Sequence, residues 1–486
     1  MIRILFTLFA LACLALAIIA GLQYEGQWYV YAMFTLIANA LLFNGFRKRA
    51  IYFDIFIGIF LWLGFWLKFS VRVAFVDGKF SEPTGAFNGS AGAFDHALLI
   101  ASCGFAGLLA ASFLRQRFFR YTDTPPSCAN NGLFQLYQTY RRTFIALFLL
   151  LVLAIAASNV WLGIYQRGMV VQTTLPFGLN GVYKWLLQFG LASIAALIIR
   201  FEIELNRNLS LWAVFPPLLE CFFSNVSLLS RGMILNATAL GIGGLRTLLA
   251  MKIRMDPKIL AIAAVTFGLL FAGSVFAVNY LRASSVLQGV EALSRSSSAS
   301  AADSYKYDSA AAADNAKAMA APLFIDRWVG IEGVMSVSSS DRLGWDLWRE
   351  AWQERFQEGQ LTLYDRYFID SPYALASIDK SRLHFVSLPG VIAFFYYPGS
   401  LWFLFLGLLA LGGMAAILEF FTYRFAGQNW ILCSLLAQVI AFRYASFGYV
   451  PSQSYLLFGT LVLNVLLIAG ADWAIRQFLK RRRAHP

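Results

Sequence analysis

Apolar runs of close to twenty residues recur from one end of this chain to the other, and that recurrence limits the fold more than any other feature. Twenty apolar residues in a helix match the thickness of a bilayer's hydrocarbon core. In that solvent every backbone N–H and C=O must be satisfied internally, so a spanning segment is a helix or part of a closed barrel. Runs this long and unbroken are helical runs. Only 13% of the 486 residues are charged, against about 25% in ordinary soluble proteins. We therefore expect an all-α polytopic membrane protein with about twelve transmembrane helices. The stretches are 4–21, 27–46, 51–70, 96–114, 143–164, 183–201, 209–229, 232–250, 259–281, 400–421, 429–447 and 455–478. Residues 4–21 also have some features of a signal peptide, but the many later spans favour a retained first helix.

Lysine and arginine set the expected orientation. Arg47, Lys48 and Arg49 follow the second stretch, and Arg115, Arg117, Arg120, Arg141 and Arg142 bracket the fourth loop. Arg246, Lys252, Arg254 and Lys258 lie between stretches eight and nine, and Arg476 and Lys480 to Arg483 close the last. All share one side if both termini are cytoplasmic, as the positive-inside rule requires. The net charge of +13 is then a topology signal and implies no nucleic-acid partner. The chain divides into a bundle over 1–281, one large outer loop over 282–388, and a re-entrant or interfacial segment with the last three spans over 389–486. The loop's first part is rich in Ala and Ser. The loop as a whole is expected to be mostly helical, and its second part places Trp345, Trp348, Trp352 and Phe356 on one amphipathic face. That face suits a membrane interface, the roof of a cavity, or plain packing on the bundle.

Several cations fall on the side that the rule leaves unexplained. Arg231 stands in "LLSRG", between two spans, with no acid close in sequence. Lys68 and Arg72 end the third span, Arg167 follows the fifth, Arg282 closes the ninth and Arg443 nearly ends the eleventh. Cations near span ends often only snorkel to the interface, and Lys68 and Lys184, with aromatic neighbours, fit that description. Cations that converge at one depth would instead hold an anion at the outer leaflet. Arginine's planar fork of donors fits phosphate oxygens, and a lipid pyrophosphate lies at that depth.

The histidines are His96, His384 and His485. His384, in "SRLHFVSLPG" at the end of the outer loop, is a candidate general base. Asp326, Glu332, Asp341, Asp365, Asp370 and Asp379 compete with it, and spacing selects none of them. The five cysteines form no CxxC or Cys/His cluster, so no metal is implied. No nucleotide-binding or hydrolase motif occurs in a plausible context.

The layout, the "SRG" turn at Ser230, Arg231 and Gly232, and "HFVSLPGVIAFFYYPGSLWFLF" together resemble the bacterial Wzy-type O-antigen polymerases, with O-antigen ligases as cousins. The resemblance extends to the layout of nearly the whole chain. It implies a metal-independent glycosyltransferase of the bacterial inner membrane, active on the periplasmic side without a cofactor. The substrate would be a glycan on undecaprenyl pyrophosphate, and a protein that regulates chain length is an implied partner. His384 would be the base and Arg231 a catalytic pyrophosphate ligand, with Arg443, Arg72, Lys68, Arg282 and Arg167 as further substrate ligands. Phe385 follows His384 where the ligases often carry asparagine, which leans towards the polymerases. A ligase that uses lipid A-core as acceptor, and a lipid-linked oligosaccharide flippase or transporter, stay open. For the transporter, Asp54 and Glu220 are the acids of interest.

Overall fold

The computed structural model describes residues 2–80, 82–230, 232–253, 255–296, 328–355, 360–369, 387–447 and 451–484. Among these the secondary structure is helical, with no strand. The helices are α1 (Ile2–Gln23), α2 (Trp28–Gly45), α3 (Tyr52–Phe75), α4 (Ala91–Arg115), α5 (Gly132–Thr139), α6 (Arg141–Leu162), α7 (Pro176–Asn206), α8 (Leu211–Ser227), α9 (Met233–Ala250) and α10 (Pro257–Ser296). The segment between α10 and the last three long helices contributes α11 (Ile331–Ser338), α12 (Trp345–Gln353), α13 (Leu363–Tyr367) and α14 (Val391–Phe395). Three further helices complete the bundle: α15 (Leu401–Phe425), α16 (Trp430–Ala445) and α17 (Pro451–Ala484). Each of the twelve apolar stretches lies on a helix, and eight of the helices are long and apolar enough to cross a membrane. The chain is an all-α polytopic membrane protein. α10 runs on to Ser296, past the expected span end at 281.

Contacts sort the helix ends into two groups. At one end Arg115 on α4 bonds Asp54 on α3 at 2.7 Å, and both are buried. Glu419 on α15 accepts the first two N–H groups of α3, from Tyr52 and Phe53, and the Tyr121 hydroxyl. A carboxylate there completes a helix N-terminus whose N–H groups have no partner within the helix. Arg246 on α9 lies over the rings of Tyr52, Tyr121 and Trp430, within cation–π range. Arg141 forks onto Glu202, and Arg200 pairs with Glu204. Arg115 and Arg141, two of the basic residues that set the expected orientation, are thus paired with buried acids at this end. Asp54, one of the two acids of interest for transport, is committed to Arg115.

The opposite end carries α11 to α14. α11, "IEGVMSVS", is a helix of this segment that residue spacing does not single out, and it is buried in the bundle from Ile331 to Val337. Glycines allow its entry: a Cβ on Gly330 would lie 1.7 Å from the Gly64 carbonyl oxygen, and one on Gly333 would lie 1.9 Å from that of Pro389. Gly64 belongs to a π-helical turn, Trp62–Leu67, inside α3. The 389–399 segment, expected to be re-entrant or interfacial, forms the short buried helix α14 between Gly390 and Gly399, both at positive φ. The tryptophan face of α12 packs on it. Trp348 lies 5.0 Å from Phe394 and 4.9 Å from Phe403, and Trp352 stacks on Tyr455 of α17. Packing on the bundle is therefore the role of Trp348 and Trp352, while Trp345 stays more than half exposed. Phe356 lies outside the described residues.

Candidate functional site

The turn between α8 and α9 is the most elaborately held loop at this end. Helix α8 ends because Leu229 adopts φ +49°, a left-handed conformation costly for a branched side chain. Such strain persists only where the surroundings fix it, and here they do. The Ser230 N–H donates to the Asn225 carbonyl, and the Gly232 N–H donates to the Ser230 hydroxyl. Asn159, fully buried on α6, donates to the carbonyls of Tyr165 and Ser227 and to the Ser227 hydroxyl, and accepts the Tyr165 N–H. This one side chain ties the end of α8 to the loop after α6.

Arg167 and Arg282 converge on that turn. The Arg167 N–H donates to the Leu228 carbonyl at 2.9 Å. Arg282 on α10 donates from Nε and Nη2 to the Leu229 carbonyl, at 3.0 and 2.7 Å, and from Nη2 to the Arg167 carbonyl at 3.5 Å. Two of the arginines singled out in the sequence therefore meet on the residues that precede position 231, Arg282 through its guanidinium and Arg167 through its backbone N–H. Arg282 clamps the turn, so its role is positioning. The Arg167 guanidinium forms no ion pair among the described residues. Arg231 and His384, the two catalytic candidates, lie outside the described residues.

The other candidates sit elsewhere in the network. Lys68 departs most from expectation: it is 1% exposed and pairs with Glu332 of α11 at 2.8 Å, while donating to the Trp328 carbonyl. An ion pair, and neither snorkelling nor anion binding, accounts for Lys68. Burial pushes the Glu332 carboxyl above the usual carboxylate range, and the Lys68 ammonium pulls it back. Arg72 donates to the Lys79 carbonyl, and Arg443 to the Ser454 hydroxyl. Among the competing acids Glu332 is taken by Lys68. Asp365 is taken by the Thr362 hydroxyl and the Ser387 N–H.

Three neutral neighbours of the turn, Tyr165, Gln188 and Asn236, carry no signal in the sequence. Lys184 lies over the Tyr165 ring at 5.2 Å, Gln188 donates to the Tyr165 hydroxyl, and Asn236 on the first turns of α9 donates to the Gln188 carbonyl. Gln188 lies in a second π-helical turn, Leu186–Gly190, and such turns recur at functional sites. Asn159→Ala would leave the Tyr165 N–H and the Ser227 carbonyl buried without this partner. We expect it to cost about 1–3 kcal/mol, read as a lower Tm of the purified protein. An unchanged Tm would show that the turn does not depend on Asn159.

No family model, no curated protein and no solved structure matches this chain.

Proposed function

We propose that the protein polymerises oligosaccharide repeat units carried on undecaprenyl pyrophosphate, at the periplasmic face of the bacterial inner membrane. The observation that carries this reading is the convergence of Arg167 and Arg282 on the strained turn next to Arg231. The Arg282 guanidinium and the Arg167 backbone brace the residues that precede Arg231, and an arginine carried on such a turn at one end of a membrane bundle suits the headgroup of an anionic lipid. In this proposal all twelve long helical units cross the membrane, both termini are cytoplasmic, and the end bearing the turn faces the periplasm. The sorting of contacts into two ends is compatible with that alternation.

In the reaction the acceptor sugar's hydroxyl oxygen bonds to the anomeric carbon of the donor glycan. The bond from that carbon to the pyrophosphate oxygen breaks. The hydroxyl proton passes to a base, for which His384 is the candidate, and the pyrophosphate leaves with the bonding electron pair. Arg231 and Arg167 stabilise the charge that develops on it, the kind of electrostatic contribution that often dominates catalysis. Arg282 holds the turn in place.

Deletion of the gene, read on a lipopolysaccharide gel, tests the reading. A single-repeat product is expected. Loss of all attached antigen would indicate a ligase, and internal accumulation of repeat units a flippase. Glu220, buried on the Pro216–Pro217 helix and bonded by Ser224 of its own helix, is the acid a flippase reading would rest on. Arg167→Ala should lower polymer output roughly tenfold, the loss of one charge-assisted hydrogen-bond donor. Immunoblotting of membranes would check equal insertion. A wild-type ladder would remove Arg167 from the site.

A further inference from the structure

A cleft of about 260 Å³ opens between the loop before α4 and the end of α11, lined by Ala86, Asn88, Gly92, Ala93, His96, Ser338 and Ser339. Its chemistry differs from that of the arginine-bearing turn. Among the described residues that line it, none is Lys, Arg, Asp or Glu. Its polar groups are pre-set by local bonds. The Asn88 side-chain oxygen accepts the Ser90 N–H, which leaves the amide NH2 as the group to offer a ligand. The hydroxyls of Ser338 and Ser339 both donate to the Met335 carbonyl, so their oxygens remain as acceptors. His96 is exposed, and its Nε2 lies 3.3 Å from the Tyr396 hydroxyl, which fixes the ring. Asp95 beside it is committed elsewhere, to the Tyr24 hydroxyl and the Gln27 N–H.

The first turn of α4 presents backbone N–H groups to the cleft, but no Lys or Arg lines it to fix a phosphate, and its interleaved donors and acceptors are the groups that carry the choice of ligand. The cleft suits a ligand whose hydroxyls both donate and accept. The volume lies just under the range of roughly 300–1,000 Å³ typical of small-molecule pockets, so the occupant is small. We propose that this cleft is a carbohydrate subsite that holds one uncharged sugar ring through Asn88, His96, Ser338 and Ser339. The choice of ligand deepens the polymerase reading and rests on it: the subsite grips the glycan while the arginine-bearing turn grips the pyrophosphate.

The test uses the full chain in lipid nanodiscs and saturation-transfer NMR, with glucose, rhamnose and N-acetylglucosamine as probes and sodium pyrophosphate as competitor. Transfer to at least one sugar is expected. His96→Ala and Asn88→Ala should each weaken it roughly fivefold, about one lost hydrogen bond. Both side chains are exposed, so both variants should fold. Pyrophosphate should not compete, and Arg167→Ala should leave sugar binding intact. Absence of transfer from all three sugars would overturn the subsite. So would transfer that both variants leave unchanged, or transfer that pyrophosphate displaces. The polymerase reading fails separately, on an unaltered antigen ladder in the deletion strain, whatever the sugars do.

Discussion

Arg231→Ala is expected to lower polymer output on the order of a hundredfold or more, while the protein still inserts at wild-type levels. Removing one donor aimed at developing negative charge typically costs that much. The residues on either side of position 231 are held more tightly than an ordinary connecting turn requires. Arg282 reaches from α10 to the Leu229 carbonyl, the Ser230 hydroxyl accepts the Gly232 N–H, and Asn159 anchors the helix that leads in. Leu229 at φ +49° adds a local cost that tertiary contacts must offset. A turn braced from α6 and α10, and by its own hydroxyl, suits a side chain whose position matters. Arg231→Lys should recover only part of the activity, because an ammonium lacks the planar fork that grips two phosphate oxygens. The antigen ladder on a lipopolysaccharide gel, normalised to membrane-inserted protein, measures both. A wild-type length distribution in the alanine strain would sink the proposal for this turn.

The helices were legible because the bilayer imposes a length rule on sequence, and "RRTFIALFLLLVLAIAASNVWLG" obeys it without interruption. The tryptophan face of α12 was legible because a spacing of three and four residues survives in any environment. The partner of that face was not, since packing and an interfacial position leave the same pattern. α11 was missed for a different reason. Eight residues are too few to show periodicity, and its signal was two glycines, Gly330 and Gly333, whose meaning depends on backbones far away in sequence. For the site, charge out of place picked out Arg167 and Arg282, which the fold does bring together. The same reasoning picked out Lys68, whose counter-ion lies 264 residues away. Sequence proximity cannot see such a pair. Tyr165, Gln188 and Asn236 carry no charge, so nothing in the sequence separated them from ordinary polar residues.

Lys68 and Glu332 carry the largest expected effect on stability. Both are buried, at 1% and 5% exposure, and they join α3 to α11 at the point where Gly330 meets Gly64. Removing one member of a buried pair leaves the other charge without its counter-ion, which typically costs about 3–5 kcal/mol. Glu332→Ala should therefore lower the Tm markedly and expose the segment around α11 to protease. The double variant Lys68→Met with Glu332→Leu should recover most of that loss, because apolar replacement of both partners is often neutral or better. Recovery in the double variant would show that the penalty arises from the stranded ammonium. No recovery would show that the pair specifies how α11 docks. Glu332→Ala with an unchanged Tm would mean that the pair does not hold α11 at all, and that glycine contact and apolar burial suffice. The effect should reach activity as well as stability. Ser338 ends α11, Ser339 follows it, and both line the cleft with His96, so undocking α11 should weaken sugar binding before it unfolds the bundle.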